Sequence, residues 1–475
     1  MVTGTALPRR PERLAGYALD AAGAWDEVVA PDGKIRPAAR AAMDAVAAHD
    51  LRALRALVRE ATRATGMAFN TASGPAEFEV DPVPRVLAGD EWDALAASLS
   101  QRLRALDAFV ADVHGPQRII ADGVMPGRVL GGAEHYEPEL TGVRPPGRRW
   151  IGVAGFDVVR TAAGELQVLE DNLRTPSGIA FALATRAAVA ATLPAIAATE
   201  LRPTDGAVAL LGRALLAALP PAARDAADPT IVLLSDGPAN SAWWEHAWLA
   251  RALALALVTP DDLVTRGDRL LLRESHRTVD VVYRRTDHDR ADSPIGALLV
   301  GPLRAGTLGV VNAFGTGVAD DKLAQAYVED MVRFYLGEEP AIRSVPTYDL
   351  ARPLALKEAL ERFGTLVVKP RAGHGGRGVV VCPHAKPEDV EATRRQVIAD
   401  PGAWVAQPLV SLSTHPTVVD GRLAPRHVDL RPFVVQTADG PEVLPTALTR
   451  VAFDAGALVV NTSQNGGGKD TWVLA

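Results

Sequence analysis

Cysteine occurs once in the 475 residues, as Cys382. That excludes a disulfide framework and any cysteine-based zinc or iron–sulfur centre, and it fits a reducing compartment. An excess of positive charge is also missing: 50 Lys+Arg stand against 57 Asp+Glu, a net charge of −7. A sequence-independent nucleic-acid binder needs a basic surface, so that class is set aside. Long apolar runs are lacking. The best, LARALALALV at 249–258, is broken by Arg251 and falls far short of the roughly 18 residues of a membrane span. The start, MVTGTALPRRPERLAGYALD, carries Arg9 and Arg10 with no apolar run behind them, so it does not read as a signal peptide. A cytoplasmic protein without membrane or nucleic-acid partners is expected. Walker A and GxSxG sequences are absent as well, and the glycine run at 373–378 reads strand to strand, so it is not a Rossmann fingerprint.

What is present is globular. Hydrophobic residues make up 48% and charged residues 23%, and at about 150 residues per domain the length suggests roughly two to four domains. The Ala-, Leu- and Arg-rich stretch 12–65 has apolar positions at helical spacing, as does 91–122, which should end near Gly115-Pro116. WIGVAGFDVVR (150–160), the turn TAAGE and LQVLEDN (166–172) read as a hairpin, and 178–200 reads as helix. TIVLLSD (230–236), a helix from Ala242 to about Leu255, and LALVTPDDL (255–263) have the order of a βαβ unit. VDVVYRR (279–285) adds a strand. From Leu366 onward the chain reads as short strands of an antiparallel sheet. The expected class is therefore mixed α/β and α+β.

Three segments carry chemistry. In VVKPRAGHGGRGVVV (367–381), Lys369 ends a strand, and Gly373, Gly375, Gly376 and Gly378 follow it. A lysine there can meet a phosphate, and glycines let backbone N–H groups close over phosphate oxygens; a glycine-rich hairpin with an incidental lysine is the plainer alternative. In QVLEDNLRTPSG (167–178), Glu170 and Asn172 lie two apart and share a strand face. Asp157 lies 170 − 157 = 13 residues earlier on the partner strand, and these oxygens suit Mg²⁺; an ordinary charged hairpin edge is the alternative. The third segment is C-terminal. APRHVDLRPF (424–433) places Arg426 and Arg431 near Asp429, and NTSQNGGGKDTW (461–472) reads as a polar glycine loop with Lys469 and Asp470. Arginines neutralise charge that develops on a transferring phosphoryl group, whereas an internal Asp429–Arg431 ion pair needs no function.

LEDNLRTPSGIAFALATR, NAFGTGVADDK, RPFVV after APRHVDL, and NTSQNGGGKDTWVL together resemble the circularly permuted ATP-grasp proteins of type 2. More distantly the chain is similar to glutathionylspermidine synthetase. The resemblance runs from about residue 65 to the C-terminus. It implies an ATP-grasp fold with an added helical N-terminal region at 1–65, and an ATP-grasp part with the Glu-x-Asn motif at 66–204. A pre-ATP-grasp-like substrate domain would follow at 205–345, and the subdomain with the glycine lid at 346–475. It further implies that Asp157, Glu170 and Asn172 hold Mg²⁺, and that Lys369 and Lys322 meet the ATP phosphates under a lid of Gly373 to Gly378. Gln407 would read the adenine edge, and Arg174, Arg426 and Arg431 would hold the γ-phosphate or an acyl phosphate. His374 and Arg377 depart from the small or aromatic residues expected inside that loop.

The activity the resemblance implies is ATP-dependent ligation. A small-molecule or peptide carboxylate would be phosphorylated, and an amine or thiol would then take the acyl group. A nucleotide-binding protein without turnover and a phosphotransferase are the alternatives. The family's usual neighbours also make a helical or transglutaminase-like protein partner conceivable. Substrate specificity is expected in the loops at 70–90, 131–150 and 236–246, with Tyr136, Arg149, Asn240 and Glu245 among the candidates.

Overall fold

The computed structural model describes residues 14, 17, 19, 23–71, 74–193, 199–287, 290–372, 378–457 and 466–475. The expected helical N-terminal region is helical in only part of its described length. Helices span Arg40–Ala47 and Leu51–Ala64, the second capped by Asp50, whose carboxylate accepts the Ala53 N–H at 2.9 Å. Residues 23–36 instead form an extended strap. Asp26 bridges to Thr414, and Glu27 is buried against Arg85, Arg160 and Ser413. The Pro31-Asp32-Gly33 turn interrupts any helix there, and the Glu27 ion pair ties the segment to distant chain.

Strands β1 (Ala68–Thr71), β2 (Gly74–Glu77) and β3 (Val80–Leu87) precede the longest helix, Gly89–Val113. It ends just before Gly115, as expected, and buries Trp92, Leu95, Leu99, Leu103, Leu106, Phe109 and Val113. After a loop-rich stretch come β4 (Val153–Arg160), β5 (Leu166–Asn172) and the helix Ile179–Thr192. The middle of the chain holds β6 (Ile231–Ser235), the helix Trp243–Ala252, β7 (Ala256–Val258), β8 (Leu263–Arg266), β9 (Arg269–Leu272), β10 (Val281–Arg285) and β11 (Gly309–Val311). Then follow β12 (Tyr348–Asp349), β13 (Leu366–Pro370), β14 (Val380–Val381), β15 (Trp404–Pro408), β16 (Thr414–Val419), β17 (Arg422–Thr437), β18 (Gly440–Ala452) and β19 (Gly466–Val473). The late strands are not all short: β17 has 16 residues and β18 has 13.

Three sheets organise the molecule. The largest runs β3-β19-β18-β17-β4-β5, with β16 also on β17, so it draws strands from both ends of the chain. A parallel sheet, β11-β10-β6-β7, confirms the βαβ reading. A small antiparallel sheet, β12-β15-β13-β14, carries the base of the glycine loop. One face of the small sheet packs Leu366, Val368 and Ala406 against Ala359 and Val397 of the helices Pro353–Glu361 and Pro387–Ala399. No helix among the described residues is long and apolar enough to cross a membrane.

Candidate functional site

Alternation decides which side chains face the site. On β5, Asp171 points into the core and is gripped at 2.6 Å through both oxygens by Arg102 of the long helix, both residues being almost fully buried. Glu170 and Asn172 therefore face the opposite way. The β4–β5 register pairs Asp157 with Glu170 and Gly155 with Asn172, so all three proposed ligands share one face. Gly155 leaves room for the turn after β5, since a Cβ there would come within 2.9 Å of Pro176. That turn is pinned from below. Arg285 donates to the Pro176 carbonyl and the Ser177 hydroxyl at 2.6 Å, and Glu245 accepts the N–H groups of Gly178 and Ala180. Glu245, expected to line a substrate loop, is thus a buried support of the turn.

The small sheet faces this surface. Val367 pairs with Gln407, and Lys369 lies two residues on, so Lys369 and Gln407 share the face left free by the helices. Burial pushes the Lys369 ammonium below its usual range, with Glu170 and Asp157 opposing that shift and Lys322 adding to it. Groups from two other segments of the chain therefore lie within electrostatic range of Lys369. Gln407 is buried and donates its amide to Thr347 Oγ1 at 2.9 Å. Gly378, at φ +74°, closes the far end of the glycine loop beside Pro370; Gly373, Gly375 and Gly376 lie outside the described residues.

Three charged groups meet beside Asp157. Arg431 donates to both of its oxygens at 2.6 and 2.9 Å, and Arg450 reaches Oδ2 at 2.8 Å. Burial alone would raise this carboxyl, but the two guanidiniums hold it well below the usual carboxylate range. Asp429 pairs across the ladder with Arg450 rather than with Arg431 two residues on. The ion pair expected within β17 is therefore a cross-strand one.

Arg174 sits between Asp320 at 3.0 Å and His135 Nε2 at 3.0 Å. Asp320 went unassigned in the sequence. It also accepts the Leu173 N–H at 2.7 Å, and burial pushes it up to about 7, with Arg174 opposing and Glu170 adding to the shift. Its neighbour Asp321 pairs with buried Arg371, which also donates to the carbonyls of Arg128 and Val129 and so anchors the start of the glycine loop. The adjacency of Asp320 and Asp321 to Lys322 was the available signal. Arg426 lies elsewhere: it is five residues up β17 from Arg431, roughly 17 Å of strand, and donates to the carbonyls of Phe453 and Pro425. Lys469 and Asp470 are not in a loop. They lie within β19, buried against Asp81 and Arg186.

The profile described as circularly permuted ATP-grasp type 2 matches residues 84–452. The chain belongs to that family. An uncharacterised protein of Mycobacterium tuberculosis is 40% identical over 489 residues, covering 98% of this chain and 88% of its own length. A Frankia alni protein named a putative glutamate–cysteine ligase 2-3 is 43% identical, covering 98% of this chain. The match takes in only 55% of that protein, so its name describes a polypeptide nearly twice as long. A glutathione synthetase-like effector from Globodera pallida, solved in its apo form, superposes with a TM-score of 0.61 at 11% identity, covering 90% of this chain and 98% of that one. At that identity the likeness concerns the fold alone. The circular permutation puts Glu170 and Asn172 ahead of Lys322 and Lys369 in sequence, and the fold brings Glu170 and both lysines back together.

The residues at this site fit a hard cation in part. Among the described residues no three His, Cys, Asp or Glu side chains cluster as metal ligands. Glu170 and Asn172 nevertheless offer oxygen donors side by side, and the buried Asn172 amide nitrogen has no hydrogen-bond partner. Which amide atom points inward is an assignment made from hydrogen bonds; with no bond to fix it, the oxygen can be turned to a cation. Asp157 has the right chemistry, but its oxygens are taken by arginines.

Proposed function

We propose that the chain is an ATP-dependent ligase that activates a carboxylate as its acyl phosphate and passes the acyl group to an amine or thiol. The observation that carries this reading is the meeting of Lys369, Lys322 and Glu170 between two facing sheets. The two lysines supply positive charge for the triphosphate, and Gln407 and Thr347 border its nucleoside end. Glu170 and Asn172, with Asp157 as a third ligand, would hold a Mg²⁺ ion, which would supply further neutralisation of the phosphate oxygens. Arg174 and Arg431 face the end of the triphosphate, where the carboxylate oxygen attacks the γ-phosphorus and ADP departs. The amine or thiol then attacks the acyl carbon, phosphate leaves, and the nucleophile's proton passes to solvent. Little covalent chemistry falls to the protein, which positions reactants and excludes water. The Frankia relative's name points to the same class, an amide formed from a carboxylate and an amine.

The test is Mg²⁺-dependent ADP release with pooled amino acids, small peptides and polyamines, with and without hydroxylamine. Hydroxylamine intercepts an acyl phosphate as a hydroxamate, so ADP and hydroxamate should rise together and both should vanish in Lys369→Met. ADP release with no hydroxamate from any carboxylate pool would indicate a phosphotransferase instead.

A further inference from the structure

The arrangement around Asp157 is at odds with a simple metal site. Glu170 and Asn172 present their side chains without arginine partners among the described residues, yet Asp157 on the same face is covered. A carboxylate that receives three guanidinium hydrogen bonds keeps only about one of its roughly four lone-pair positions open, and a divalent cation beside those arginines would be repelled. Metal binding at this carboxylate is therefore favoured when one arginine leaves.

The two arginines are not equivalent. Arg450 is wedged between two acids, reaching Asp429 through two nitrogens and Asp157 through one, and its side chain is 9% exposed. Removing it would strand both acids. Arg431 is 15% exposed, and beyond Asp157 its described contact is the Ser177 carbonyl at 3.2 Å, in the turn that borders the site. It lies on the site face of β17, where a phosphate held by Lys369 would offer a new anionic partner.

Resting on the ligase reading above, we propose that Arg431 is an exchangeable counter-ion. In the nucleotide-free chain it neutralises Asp157 and keeps metal off that carboxylate. When metal and triphosphate arrive together it moves to the phosphate and releases Asp157 to the metal. Arg450 stays, so Asp157 keeps one neutralising neighbour throughout. The device makes metal binding depend on nucleotide: a cation alone must displace Arg431 into solvent, whereas a cation with a triphosphate gives it an anion to join. Thermodynamic linkage makes the dependence reciprocal, and such couplings are typically about 5–150-fold.

Mn²⁺ is the probe, because its spin resonance reports free and bound ion directly and it shares the oxygen preference of Mg²⁺. Wild type should bind Mn²⁺ weakly alone and at least roughly fivefold more tightly with a non-hydrolysable ATP analogue, the lower end of that coupling range. Arg431→Met, with Arg431→Gln as the second variant should the first not fold, should bind Mn²⁺ alone more tightly than wild type and gain less from the analogue. Adding Asp157→Asn to Arg431→Met should erase the gain. A fixed Arg431 predicts that its removal shifts Mn²⁺ affinity alike with and without the analogue, leaving the nucleotide coupling unchanged, and that result would overturn the exchange. If wild type bound no Mn²⁺ even with the analogue, the metal–nucleotide reading itself would fall, a distinct result.

Discussion

One peptide unit separates an acid that serves the site from an acid that serves the core. Glu170 faces the lysines, whereas Asp171 is buried against Arg102 and is bonded through both oxygens. Removing one partner of a buried pair leaves an uncompensated charge and costs about 3–5 kcal/mol. Asp171→Asn is therefore expected to lower the unfolding free energy by that order in urea titrations. Glu170→Gln should stay within about 0.5 kcal/mol of wild type while losing ATP turnover. His246 gives a second expectation at this scale. It hydrogen-bonds Ser235 at 2.8 Å, and burial first, then Arg285, push its imidazole down to about 2. The unfolded residue titrates near 6.5. Below that pH the unfolded chain takes a proton that the folded chain refuses, so stability falls as pH falls. Between a pH of about 7.5 and about 5.5 this residue should account for a loss of about 1.4 kcal/mol. Urea midpoints of wild type and His246→Asn, compared at the two pH values, check it.

At the scale of elements, the turn after β5 couples the metal face to the parallel sheet. Gly155 sits beneath it, where an added Cβ would lie only 2.9 Å from Pro176 and 3.3 Å from Phe433. Gly155→Ala should overpack this contact at about 1–3 kcal/mol and displace Ser177 and Arg431. A weaker affinity for the metal–nucleotide pair is the expected outcome, measured beside the unfolding midpoint. The hairpin was legible in the sequence because its strands alternate around a glycine turn, and β6, β7 and β10 were legible as apolar runs. The strap at 23–36 was not. Its Pro31-Asp32-Gly33 run is a turn signal, but what ties it down is Glu27 meeting Arg85, 58 residues away, which no local pattern shows. Lys469 was misplaced for the same reason: its partner Asp81 is 388 residues distant, so a buried strand lysine reads locally as part of a polar loop.

At the scale of the molecule, the candidate site joins two sheets that share no strand. Glu170 and Asp157 ride on the large sheet, and Lys369 and Gln407 on the small one. Spacing alone could not reveal that meeting. The order of the motifs, read through the family resemblance, placed the lysines with the Glu-x-Asn pair, while Arg426 donates to the Phe453 carbonyl away from them. A ligand that bridges the sheets should also stabilise the fold, by about 2.7 kcal/mol at a hundredfold excess over its dissociation constant. The most direct measurement is calorimetric titration of a non-hydrolysable ATP analogue, with and without Mg²⁺, into wild type, Lys369→Met and Glu170→Gln. The account predicts Mg²⁺-enhanced binding in wild type. Lys369→Met should lose affinity in both conditions, and Glu170→Gln should keep metal-free binding but lose the enhancement. Equal affinities in all three proteins would contradict the site.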